Sequence, residues 1–68
     1  MKLETMIDVL DYDYGNVLDY LKRKDMVRAD RWYTIFVREF NEYRPQLPSE
    51  KIIKYQKLMN RFSWELYD

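Results

Sequence analysis

The sequence predicts an all-α fold, a compact bundle of three or four helices forming a single small domain over residues 1–68. Three observations predict it. Large apolar residues recur at spacings of three and four along most of the chain, the period of a helix buried on one side. The strongest helix breakers are confined to Gly15, Pro45 and Pro48. With 47% hydrophobic, 35% charged and 18% aromatic residues the composition is globular, and 68 residues supply one core at most.

The N-terminal segment presents a conflict between pattern and propensity. Leu3, Ile7, Leu10, Tyr14, Val17 and Leu21 would form an unbroken stripe on one long helix. Against it stands Asp11-Tyr12-Asp13-Tyr14-Gly15-Asn16, a run of weak helix formers in which Gly15 alone costs about 1 kcal/mol relative to Ala. The expectation is two short helices, over residues 4–11 and 17–23, with Asn16 capping the second.

The next element is the clearest. Asp25 is a good N-cap, and Met26, Ala29, Trp32, Tyr33, Phe36, Val37, Phe40 and Tyr43 share one face of a helix over residues 26–43. Trp32 to Val37 has the composition of a strand, but no strict alternation continues through Arg38-Glu39-Phe40. Pro45 and Pro48 then end the helix, because proline lacks the backbone donor and forces the preceding residue out of the α region. Ser49 offers a second N-cap, with Glu50 suitably placed for the helix dipole. Ile52, Tyr55, Met59, Phe62 and Leu66 continue the helical spacing over residues 50–66. So short a connection brings the last two helices back antiparallel, with the N-terminal segment packed across them.

Several chemistries are excluded or weakened by residue type. The chain has no Cys and no His, which removes disulfides, thiolate and imidazole metal sites, and the usual nucleophile–base pairs of acyl transfer. Asp8, Asp11 and Asp13 are the remaining candidates for acid–base work, yet their local context is polar and predicts exposure rather than the burial that tunes a catalytic carboxyl. The run Asp11-x-Asp13-x-Gly15-Asn16 fails as a calcium loop, because glycine occupies a ligand position, Asn16 replaces the turn glycine and Lys22 stands in place of the bidentate Glu. A single glycine forbids a glycine-rich phosphate cradle. The expectation is a protein without enzymatic activity, cofactor or small-molecule substrate.

Charge is balanced overall but not along the chain: residues 1–20 carry −4, residues 21–44 carry +3 and the remainder +1. The acidic start and basic middle can attract one another within the fold. The segment Met1-Lys2-Leu3-Glu4 lacks the features of a signal peptide, and no stretch approaches ~18 uninterrupted apolar residues. A cytoplasmic protein with no membrane span is expected. The poverty in Ala and Gly beside abundant Lys, Tyr, Asp and Ile is a usage common among genes of phages and other mobile elements.

The apolar residues that the core stripes do not absorb are the best pointers to function. Ile35 falls opposite the Phe36-Phe40 stripe, among Arg28, Arg31, Arg38 and Glu42, while Ile53 and Trp64 share a second line of the last helix with Lys57. Either the N-terminal helices cover that second line or a partner does. Tryptophan and arginine dominate binding hot spots. The expected function is therefore a small adaptor, regulator or inhibitor that docks on another protein, or on a second copy of itself, using Trp64, Ile53, Lys57, Ile35, Arg31 and Arg38. The alternative is a small DNA-binding regulator. In a helix-turn-helix arrangement, Lys22, Arg23, Lys24, Arg28 and Arg31 would meet a duplex from the turn and the start of the 26–43 helix. Asp25 and Asp30 beside those residues, and zero net charge, weaken that reading.

Overall fold

The computed structural model describes the backbone of residues 2–67 and the side chains of residues 2–62. Three α-helices and one short 3₁₀ turn follow in order: α1 over Leu3–Lys22, α2 over Met26–Tyr43, the turn over Arg44–Gln46, and α3 over Ser49–Tyr67. The all-α expectation holds, with no strand among the described residues.

The N-terminal segment is one helix and not two. Asn16 caps nothing: its amide donates back to the carbonyl of Tyr12 at 3.1 Å, four residues earlier, as an intrahelical residue does. Tertiary packing outweighs the weak local propensity here, since Met6, Leu10, Asp13 and Val17 are all buried along a single stripe. That stripe is turned slightly from the one the sequence pattern outlines. Ile7, Tyr14 and Leu21 are half-buried flank residues, and Leu3 is exposed.

The α1–α2 turn closes compactly. The amide of Asp25 donates to the carbonyl of Tyr20 at 2.9 Å and that of Lys24 to Leu21 at 3.0 Å, the paired bonds of a Schellman C-cap. Lys24 takes the left-handed position at φ 61°, where glycine is the unstrained choice. Asp25 then caps α2 as expected, its Oδ1 accepting the Arg28 amide at 3.2 Å. At the other corner the Pro48 carbonyl accepts the amides of Lys51 and Ile52, so Ser49 stands one place inside α3 instead of capping it.

The core is built around rings. Phe36 and Phe40 lie parallel at 6.3 Å on α2, and Tyr55 of α3 meets both edge-on at 5.7 and 6.0 Å. Tyr33 meets Phe62 at 5.4 Å. Low numbers of α2 thus face high numbers of α3, and the two helices are antiparallel. Similarly, α1 runs antiparallel to α2: Tyr12 packs on Trp32 at 5.7 Å, and near the turn Tyr20 lies under the guanidinium of Arg28. The first and last helices therefore run parallel to each other on two sides of α2. No described helix is long and apolar enough to cross a membrane.

Candidate docking groove between the first and last helices

Among the described residues, Asp11 ties α1 to α3. The hydroxyl of the fully buried Tyr55 donates to Asp11 Oδ1 at 2.7 Å, and Lys54 Nζ lies 3.7 Å from the same oxygen. Burial, followed by the neighbouring Asp11 carboxylate, pushes the Tyr55 phenol well above its usual range, so it stays a donor at all ordinary pH. The Lys54 ammonium also sits over the rings of Tyr14 and Tyr55, at 5.8 and 5.6 Å from their centroids. This clamp ties the two helices together.

Beyond the clamp the seam opens. One hollow of about 440 Å³ is lined by Tyr14, Glu50, Ile53, Lys54, Lys57, Leu58 and Arg61. A second, of about 630 Å³, continues from Arg61 to Gly15, Leu18, Asp19, Leu21 and Lys22. The two hollows share Arg61 and are treated together as one trough; among the described residues the first holds Tyr14 and Leu58, the second Leu18 and Leu21, and charged side chains line both. The trough runs beside α3 from Glu50 to Arg61, roughly 16 Å or three helical turns. Gly15 lowers the α1 wall. A Cβ built there would meet nothing within 4 Å among the described residues, so none of their contacts requires glycine at a position where it weakens the helix by about 1 kcal/mol.

The residues singled out from the sequence fall in different places. Ile53, at 53% exposure, and Lys57 stand together on the trough's α3 side, so the N-terminal helix does not cover the Ile53 end of their line. Trp64 lies outside the described residues. Ile35 is half-buried on α2, while Arg31 and Arg38 are exposed on the same helix, which contributes no residue to the trough. Ile53 and Lys57 therefore line one hollow together, while Ile35, Arg31 and Arg38 line neither hollow of the trough.

The basic turn is held by its own neighbours. Arg23 pairs with Asp19 at 3.2 Å and Arg28 with Asp25 at 3.6 Å, and both guanidinium groups lie 5.9 Å from the Tyr20 ring. Lys24 supplies the strained turn residue, and Lys22 closes the far end of the trough.

Asp13 is where sequence reasoning was wrong about environment. It is 4% exposed between α1 and α2, and its Oδ2 has no hydrogen-bond partner. Burial, with help from the charge of Glu39, raises its carboxyl to about 6. Tyr43 hydrogen-bonds Glu39, and this bond, with burial and the charges of Glu39, Glu42 and Asp13, pushes its phenol up to about 12. The place of Asp13 on the helical stripe, seven residues after Met6 and four before Val17, was the available signal for its burial. No group of three or more side chains able to hold a metal ion comes together among the described residues.

The chain matches no protein-family model, no curated protein and no solved structure.

Proposed function

We propose that this chain is a small cytoplasmic protein-binding module, an adaptor, regulator or inhibitor, and that it docks through the α1–α3 trough and the Ile53 shoulder beside it. The observation that carries this reading is an exposed Ile53 continuous with an apolar floor of Tyr14, Leu58, Leu18 and Leu21, rimmed by charge. A buried apolar centre inside a polar rim is the anatomy of protein interfaces. The other exposed apolar residues, such as Val27 and Met26 at the start of α2, line neither hollow, and scattered apolar residues are ordinary on any surface. The duplex-binding alternative is less well supported, because Arg23 and Arg28 are each paired with a carboxylate and α2 lies alongside α1 over most of its length.

The test is cross-linking from position 53. A photoreactive residue placed there in the intact chain should capture a discrete protein in cells of the source organism, and Ile53→Asp should abolish its co-purification while the helical circular dichroism stays unchanged. Cross-links to nucleic acid only, or a captured protein indifferent to Ile53→Asp, would refute the reading.

A further inference from the structure

We infer that Asp13 is a proton-operated latch between α1 and α2: neutral, it lets the middle of α1 lie against α2, and ionised, it draws that stretch open to water. The latch is independent of the docking reading above. Its basis is geometric. Asp13 is 4% exposed, on the same line of α1 as Met6, Leu10 and Val17, and its Oδ2 finds no hydrogen-bond donor. A buried carboxylate is tolerated when a cation or several donors stand against it, and an unpaired one is among the costliest groups a core can hold.

The described groups on each helix supply no such partner. On α2, Glu39 brings a second negative charge. Tyr43, close enough to feel the charge of Asp13, gives its hydroxyl to Glu39 instead, and Glu42 adds a further negative charge beside it. On α3, Lys54 and the Tyr55 hydroxyl are both engaged by Asp11. On α1 itself, the Asn16 amide donates back to the Tyr12 carbonyl. Asp13 enters no ion pair among the described residues. Burial and the Glu39 charge accordingly raise its carboxyl to about 6, so the proton leaves between weakly acidic and neutral pH. Once it has left, water is the remaining source of donors.

The opening is local because of where Asp13 stands. It lies within Asp11–Asn16, a run of weak helix formers that includes Gly15. The rings that join α2 to α3, Phe36, Phe40 and Tyr55 with Tyr33 and Phe62, contain no part of this stretch, so they can stay packed while it opens. Tyr14 and Gly15, directly after Asp13, line the trough, so the stretch that opens is also part of its α1 wall.

Native-state amide hydrogen exchange of the full chain at pH 5 and pH 8, corrected for the intrinsic rate at each pH, tests the latch, with the Asp13 carboxyl followed by carbon-13 NMR. Amides of residues 12–17 should lose protection about tenfold between the two pH values, while those of Phe36, Phe40 and Tyr55 keep theirs. Asp13→Asn, checked for unchanged helical circular dichroism, should hold its protection at both. Glu39→Gln should lower the pH at which the Asp13 carboxyl titrates and, with it, the pH at which protection falls. Equal protection of residues 12–17 at the two pH values, the same loss in Asp13→Asn, a loss shared evenly by all three helices, or an Asp13 resonance that titrates at the ordinary aspartate value would each overturn the inference.

Discussion

Asp13 is the residue whose environment departs furthest from its chemistry. An ionised carboxylate on the inner stripe of α1 is opposed by burial and by Glu39, and its carboxyl is raised from 3.8 to about 6. A raised acid binds its proton more tightly in the folded chain than in the unfolded one. Stability from this group is therefore fully present below the unfolded value, declines as pH rises between the two values, and stays reduced above about 6. The shift corresponds to at most about 3 kcal/mol. Urea unfolding should show Asp13→Asn more stable than the wild type at pH 7.5, by about 1–2 kcal/mol, with the difference shrinking or reversing near pH 4. A constant difference across that range would mean that Asp13 does not titrate in it. The sequence pattern placed Tyr14 on the stripe, whereas the buried line runs through Met6, Leu10, Asp13 and Val17. Reading the residue type first concealed the burial of Asp13.

At the scale of elements, the α1–α2 turn stores strain that a single change should relieve. Lys24 holds a left-handed backbone angle in a C-cap whose two hydrogen bonds are otherwise well formed. Lys24→Gly should raise stability by about 1 kcal/mol, read as a higher thermal midpoint, because glycine adopts this angle without the steric penalty. Lys24→Val should lower it, since a β-branched side chain tolerates that angle least. Boundaries of α2 and the approximate extent of α3 were legible because their signals are local: a capping Asp25, two prolines and apolar residues at helical spacing. Continuity of α1 was not legible. Gly15 and its aspartate neighbours lower local propensity, and the compensation comes from α2 and α3, through the buried stripe and the Asp11–Tyr55 bond. Helices in proteins draw most of their stability from such packing.

Over the whole molecule, one contact decides how the first and last helices sit. Tyr55 reaches past the phenylalanine pair of α2 to Asp11, so its ring belongs to the α2–α3 core and its hydroxyl to the α1–α3 seam. Tyr55→Phe keeps the rings and removes the bond, leaving Asp11 paired with Lys54 across the seam. A loss of about 1–2 kcal/mol is expected in chemical unfolding, with faster amide exchange concentrated in α1. Uniform change along all three helices would mean that the bond does not hold α1 in place. By itself the sequence determined the helical class, the antiparallel α2–α3 hairpin and the absence of Cys and His chemistry, because spacing, caps, prolines and residue types act within a few neighbours along the chain. Only the tertiary structure decided that α1 is unbroken, that Asp13 is buried, and that Ile53 opens onto a trough between the first and last helices. Those outcomes depend on how far apart α1 and α3 are held, a distance set by the rings of α2 and by Tyr55, more than forty residues from its partner.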